Sequence, residues 1–368
     1  MSARVGHVTP WGVHCGVAKH LSYWLPEAAA HRPHFVLAEY PPWWHSSVAE
    51  WNTCPSIRCW KRSQPDNLHT PCQIALEQGM KILHWQWDPS FFPWTAITEY
   101  ETWAQNAGIR TVVTAHTLHD LDEFTWVNKA VLKMADAVAA GTPGLVAALT
   151  DYAARFCIPL KSPIRLIPLP VPEMGSSIVR RPSSVVNPVV LTWGFLGAGK
   201  GHLAILDAVR ELRAYAPGAI YRVAGRAMTG EQRNTVDSLL SASADDPGLL
   251  DLREGWLDDE EILSLCREAD AIALNHVWRN QSSSGTVALS VASGTPVVVS
   301  DSPMFSGYAE SGAVKVAAPG PNGFLDALLD VLTKPDQLAA GRAEMMKRIA
   351  APVVASQYEA IYQELESA

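Results

Sequence analysis

Two doubly wound α/β domains with parallel sheets are what this 368-residue sequence predicts. Three observations carry the prediction. Short apolar runs alternate with amphipathic stretches along the whole chain. The alternation stops at a segment rich in proline and serine, 168–188, and starts again after it. The length also exceeds what one ordinary core organises, at ~150–200 residues per domain.

In the first half the apolar runs His34–Ala38, Lys81–Trp85, Thr111–Thr114, Ala137–Ala140 and Ile164–Ile167 predict strands. Val17–Ala30, Cys72–Gln78 and Trp94–Ala107 carry helical periodicity between them. After the proline-rich segment, strands are predicted at Val189–Gly194, Ala219–Ala224, Leu250–Arg253, Ala271–Leu274, Thr295–Ser300 and Val314–Ala317. The helices there are His202–Tyr215, Arg233–Ala242, Asp258–Glu268, Thr286–Ser293, Gly320–Thr333, Pro335–Arg348 and Ala355–Ser367. The signals divide the chain into a first domain over 1–170, a connection over 171–188, a second domain over 189–350 and a closing segment over 351–368. In such open sheets ligands bind beyond the carboxyl ends of the strands, so the default site is a cleft lined by the loops that follow them.

Composition narrows the function classes. Hydrophobic residues make up 48% and charged residues 18%, enough to bury large cores. A net charge of −8 argues against nucleic acid or an anionic membrane as a bulk partner. The nearest basic cluster, Lys161, Arg165, Arg180 and Arg181, falls around the connection. No apolar run reaches ~18 residues, residues 1–6 lack the apolar core of a signal peptide, and six irregularly spaced cysteines do not form a disulfide framework. The expectation is a soluble, cytoplasmic protein. Fourteen tryptophans are present, most serving as core by default. Trp43, Trp44, Trp51 and Trp60 lie in an aperiodic stretch, where flat rings suit stacking on sugars or bases as well as packing.

Four segments carry candidate chemistry. Gly194–Gly201 nearly fits the phosphate-loop pattern G-x-x-x-x-G-K-[ST], but Gly201 replaces the hydroxyl residue that would hold Mg²⁺. Its glycines, Lys200 and the helix that follows still form a sound phosphate cradle. Arg279-Asn-Gln281-Ser-Ser283-Ser284-Gly285-Thr286 places small hydroxyl residues at a helix start, which directs free N–H groups at an anion. His116 follows the strand Thr111–Thr114, with His119 and Asp120 close behind, while His84 and Gln86 end the preceding strand. All of these face the cleft if the sheet is open. Cys54, Cys59, His69 and Cys72 are loosely spaced for zinc, but no C-x2-C knuckle is present and the first two flank a Pro-Ser-Ile-Arg turn. No G-x-S-x-G elbow occurs.

As an ordered set, these segments resemble the glycosyltransferases of the GT-B fold, family 4, a retaining group that uses nucleotide-sugar donors. Thr9-Pro-Trp-Gly-Val-His-Cys15-Gly16-Val-Ala18 resembles the N-terminal glycine loop of a subgroup with a Cys-Gly-Ile-Ala signature. Ile82–Gln86, Thr114–Thr117, Ala135–Ala139 and Ile167–Pro170 resemble the later segments of the first domain. Gly194–Gly201, Val223–Arg226, Ala269–Ala273 and Ala292–Val299 follow in the second. The chain departs from the pattern at three places. Gln281 and Leu289 stand where the family commonly has two glutamates, and Phe195 stands where it usually has an arginine.

The resemblance implies two Rossmann-like domains facing a central cleft, the first on the acceptor side and the second on the donor side, with the last helix returning to the first. It implies metal-independent transfer of a sugar from a nucleotide-sugar to an acceptor hydroxyl, with no cofactor besides the donor. His116 and Gln281 are then the residues at the reacting sugar. Gly16, Lys200, Arg226, Arg279, Ser283, Ser284, Gly285 and Thr286 hold the donor. The acceptor stays open among a glycan, a small molecule, a protein and a modified nucleic acid. Alternatives are a sugar-nucleotide-binding protein that has lost turnover, a sugar-nucleotide epimerase or phosphorylase of the same fold, and a phosphate-loop NTPase.

Overall fold

A computed structural model of the chain describes residues 3–13, 15–40, 54–62, 64, 68–118, 124–172, 186–277 and 284–368. They fall into two units, one holding the residues up to 172 together with 348–368, the other those between 186 and 347.

The first unit runs β1 (Arg4–Thr9), α1 (Gly16–Ala29), β2 (His34–Glu39), β3 (Ser56–Trp60), α2 (His69–Glu77), β4 (Met80–Trp87), α3 (Trp94–Ala107), β5 (Arg110–Ala115), α4 (Thr125–Met134), β6 (Ala137–Ala140), α5 (Pro143–Arg155) and β7 (Arg165–Leu166). Its strands form one parallel sheet ordered β3-β2-β1-β4-β5-β6-β7. The second unit runs β8 (Val189–Phe195), α6 (His202–Leu212), β9 (Ile220–Arg226), α7 (Gly230–Ser243), β10 (Leu250–Glu254), α8 (Asp259–Glu268), β11 (Ala271–Leu274), α9 (Gly285–Ala292), β12 (Val297–Val299), α10 (Ser306–Glu310), β13 (Lys315–Val316), α11 (Gly323–Thr333) and α12 (Ala339–Ile349). Its parallel sheet is ordered β10-β9-β8-β11-β12-β13. The order reverses beside the first strand of each unit, the signature of a doubly wound sheet.

Local chemistry explains many boundaries. Thr142 caps α5 by accepting from the Leu145 N–H at 3.2 Å, with Pro143 in the first turn. Asp258 and Glu261 form a capping box at the start of α8. Gly108 ends α3 in the left-handed region, φ 64°. Other boundaries differ from the sequence expectation. α6 stops at Leu212, α2 begins at His69, α12 begins at Ala339 and α13 (Ala351–Ser367) begins four residues early. The segment read as a Pro-Ser-Ile-Arg turn is edge strand β3, because the Pro55 carbonyl accepts from Val36 N–H and opens the β2–β3 ladder. β1, α4, α5 and α10 had no assignment from sequence. Of the proline-rich segment, 173–185 lies outside the described residues. Before it, Val171 bridges to Ala350 and donates to the Ile349 carbonyl at 3.0 Å.

One face of the first sheet is unusual. Val5, Ile82 and Val112 are apolar on it, and Leu21, Trp24 and Leu25 of α1 pack on them with Val354 and Ile361 of α13. Two residues on from each, at His7, His84 and Thr114, the same face turns polar, with His7 beside His84, and with Gln86, one pleat further along β4, beside Thr114. These side chains are buried. His7 Nε2 and His34 Nδ1 lie 2.8 Å apart, and α13 brings Tyr362 to 2.7 Å from His84 and Tyr358 to 2.8 Å from Thr114. Arg32 anchors the same helix through paired bonds of 2.6 Å to Glu359 and a 2.9 Å bond to Glu366.

Burial keeps these histidines neutral. It pushes His20 and His84 down to about 3 and His34 and His116 down to about 4, and holds His7 well below its ordinary value. Their folded values lie below the unfolded value near 6.5, so the unfolded chain takes up protons first as pH falls. The stability these groups allow is complete above pH ~6.5 and declines through pH 6 and 5, by at most about 1.4 kcal/mol per histidine per pH unit. Denaturant unfolding at pH 7.5 and pH 5 should show a clear loss, with net proton uptake on unfolding. Equal midpoints at the two values would contradict this account.

Candidate functional site

In the second unit the site grows from the end of β8. Gly194 (φ 118°) pairs with Gly225 (φ 147°) across the β8–β9 ladder. A Cβ on Gly225 would lie 1.7 Å from the Gly194 carbonyl oxygen, so no other residue fits. On the other side, a Cβ at Gly194 would lie 3.0 Å from the Thr286 methyl group. The first turn of α9 therefore sits against the end of β8, where the Trp193 Nε1–H also donates to Ser290 Oγ at 2.9 Å. Ser284 occupies the N-cap position, and the first intrahelical bonds come from Val287 and Ala288 to its carbonyl. The N–H groups of Gly285 and Thr286 precede that ladder and carry the positive end of the helix.

The loop after β8 turns back over β11. The Lys200 N–H donates to the Gly197 carbonyl at 2.9 Å, Val277 N–H donates to the Gly199 carbonyl at 3.0 Å, and Gly201 enters α6 at φ 57° against Asn275. This places Lys200 across the switch point between β8 and β11. Its Nζ donates to His276 Nε2 at 3.1 Å, and His276 Nδ1 lies 2.9 Å from the Met304 sulfur. No carboxylate pairs with Lys200 among the described residues. Burial lowers it to about 8, and burial followed by the Lys200 charge keeps His276 well below its ordinary value. Beneath the loop, His202 Nδ1 meets Tyr221 OH at 3.1 Å, which donates to Thr192 Oγ1 at 3.0 Å, and Thr192 donates to the Ala273 carbonyl at 2.6 Å. This chain ties the start of α6 to β8, β9 and β11. Half-buried Arg226 ends β9 beside Phe195, and Phe195 lies 6.1 Å from the Trp256 ring.

Thus Lys200, Arg226, Ser284, Gly285 and Thr286 all belong to the carboxyl-end edge of the six-stranded sheet. Arg279, Gln281 and Ser283 lie outside the described residues. His276, His202 and Trp256 were missed from sequence. The available signal for His276 was a polar residue two positions past an apolar strand.

In the first unit, Gly16 is the first residue of α1, and no described atom lies within 4 Å of where its Cβ would stand. The described residues outside its own helix therefore place no steric demand for glycine there. His116 follows β5, is 8% exposed, and its Nε2 lies 2.8 Å from Gln86 Oε1. His20 of α1 stacks near it, with centroids 6.0 Å apart. His84, expected to face the cleft, is instead sealed at 0% exposure under α13. Its level in the sheet lies one pleat below the edge. At the end of β2, buried Glu39 accepts two bonds from Arg62, at 2.6 and 3.0 Å. His119, Asp120, Trp43, Trp44, Trp51, Arg180 and Arg181 lie outside the described residues. Cys54, Cys59 and Cys72 are free buried thiols, each pushed up to about 12 by burial, and among the described residues no cluster of metal-ligating side chains forms.

The charge state of Lys200 gives a direct test. It is cationic below about pH 8 and neutral above, so pyrophosphate affinity should fall as pH rises from 7 to 9. Lys200→Arg, which does not titrate there, should flatten that dependence. Lys200→Ala should cost about 1.5–3 kcal/mol of binding at pH 7. Calorimetric titration measures all three, and an affinity indifferent to both substitutions would remove Lys200 from the site.

No family model matches this sequence, and no curated protein matches it. Solved structures match its fold. HepE from Anabaena, in complex with UDP and glucose, is similar at a TM-score of 0.73 and 13% identity, covering 100% of both chains. Sucrose-phosphate synthase from Thermosynechococcus elongatus gives 0.73 at 16% identity over 99% of each chain. A glycosyltransferase from Rickettsia africae gives 0.75 at 13% identity, over 99% of this chain and 98% of that one. At such identities the likeness is one of fold, the two-domain GT-B architecture.

Proposed function

We propose that this protein is a glycosyltransferase, one that moves a sugar from a nucleotide-sugar donor to an acceptor hydroxyl with retention of configuration and without a metal ion. The observation that carries the reading is the cation at the switch point of the second sheet. Lys200, unpaired with any described carboxylate, stands at one helix start while a second helix directs its free N–H groups to the same strand end. That arrangement suits a diphosphate, whose leaving charge it would neutralise in place of a metal ion. Anabaena HepE, similar in fold, holds UDP and glucose.

In this proposal the second unit takes the donor. Lys200, Arg226 and Arg279 meet the diphosphate together with the N–H groups near Ser283, Ser284, Gly285 and Thr286, and Phe195 and Trp256 offer an aromatic surface to the base. The first unit takes the acceptor, Gly16 leaves room for phosphate, and His116 and Gln281 bond sugar hydroxyls. By resemblance to family 4, the acceptor attacks from the face the diphosphate leaves, with no protein nucleophile. Arg279, Gln281 and Ser283 enter on that resemblance alone. The protein would act in the cytoplasm; among the described residues no helix is long and apolar enough to cross a membrane.

Leu289 favours a second reading, a sugar-nucleotide-binding protein with weakened turnover. It is 4% exposed in α9, packed in the core, and cannot supply the hydrogen bond that a glutamate gives to a ribose. On either reading affinity leans on the diphosphate, so UDP should bind at least tenfold better than uridine, and Arg279→Ala should erase most of that difference. Equal binding of the two would refute the donor site. Release of free sugar or glycosylated product from a panel of nucleotide sugars, unaffected by EDTA, separates a transferase from a binding protein.

A further inference from the structure

His116 can serve a ligand either as a hydrogen-bond donor or as an acceptor, and the orientation of the Gln86 amide beside it sets which. The Gln86 amide presents Oε1 to its Nε2 at 2.8 Å, and in that orientation, where the oxygen can only accept, the proton sits on Nε2. The Gln86 amide nitrogen lies 3.3 Å from His84 Nε2, which must then carry a lone pair. That atom accepts from Thr114 Oγ1 at 2.7 Å as well, and Thr114 in turn accepts from Tyr358 OH at 2.8 Å. His84 therefore carries its proton on Nδ1 and donates it to Tyr362 OH at 2.7 Å. Every member of the chain is buried. Reversing either ring alone would set donor against donor at His84 or acceptor against acceptor at His116, an arrangement that costs a buried polar group its partner. The two rings are locked to each other through one amide.

The geometry points to Gln86 as the positioning residue that holds His116 in its Nε2–H form, leaving Nδ1 as an acceptor for a ligand hydroxyl, with the setting relayed from α13 through His84. The ring stays neutral because burial lowers it, and among the described residues the side chains recorded against it, His20 of α1 and Gln86 of β4, bring no carboxylate. A neutral acceptor selects a hydroxyl-bearing ligand over a carboxylate or phosphate. The ligand being a sugar rests on the transferase reading; the tautomer does not.

The test is long-range ¹H–¹⁵N correlation NMR on the full chain labelled at histidine, with the His116 signals identified by their loss in His116→Gln. His116 should show a protonated Nε2 and a bare Nδ1, and His84 the opposite pattern. A protonated Nδ1 at His116 in the unsubstituted protein overturns the proposal whatever the variants do. Gln86→Leu removes the acceptor and should replace the single His116 pattern by an averaged or reversed one. Tyr362→Phe removes the acceptor of His84 and should move His84 toward Nε2–H, with His116 changing in the same sample. A folded Gln86→Leu protein with an unaltered His116 pattern also overturns it. Absence of sugar transfer would defeat the transferase reading and leave the tautomer assignment standing.

Discussion

The close approach of Gly225 to the Gly194 carbonyl is the constraint on which the second unit depends. Two strands meet at their carboxyl ends with no side chain between them, and any Cβ there would overlap a backbone oxygen. Because that edge is bare, the first turn of α9 comes to rest on β8 through Thr286, and the loop after β8 folds over β11. The Lys200 ammonium is thereby held just before the start of α6 and given a neutral histidine as its only described side-chain partner. A lysine on an open surface would keep its ordinary basicity and its hydration. Here burial removes part of both, which strengthens its pull on an anion.

The first unit solves a different problem with the same fold. Its central strands carry histidine, glutamine and threonine on an inner face where parallel sheets normally carry Val, Ile and Leu. Buried polar groups are tolerable only when paired, and here tyrosines from α13 supply partners at 2.7 and 2.8 Å. The final helix is thus part of the interior chemistry as well as a lid on it. Its two carboxylates around Arg32, whose side chain is 1% exposed, hold it there. Removing either side of that pairing would leave a buried charge uncompensated.

Much of this was readable in the sequence, where local periodicity and turn chemistry mark the elements. Val189–Gly194, Ala271–Leu274 and Ala137–Ala140 are apolar runs flanked by turn residues, and each is a strand within a residue. Lys200 follows a strand, precedes a helix and sits among glycines, so its place at the switch point followed from local order. β1 and β3 were not readable. β1 spells Arg-Val-Gly-His-Val-Thr, whose histidine breaks an apolar pattern, and β3 is an edge strand whose identity comes from pairing with β2. The extra residues at the start of α13 became helical through tertiary packing, since Ala351 and Val354 bury themselves in the first unit's core.

By itself the sequence determined the doubly wound architecture, the glycine-lysine loop after the first strand of the second unit, and the presence of His116 at a strand end. These depend on residues close together in the chain, where periodicity and turn chemistry act. Tertiary structure alone decided that Lys200 meets His276, seventy-six residues on, and that His84 is buried beneath Tyr362, two hundred and seventy-eight residues on. It also decided that Gln86 lies between two imidazoles. A hydrogen bond between distant residues leaves no period in the sequence, because the strand order and the return of the last helix, rather than chain neighbours, bring its partners together.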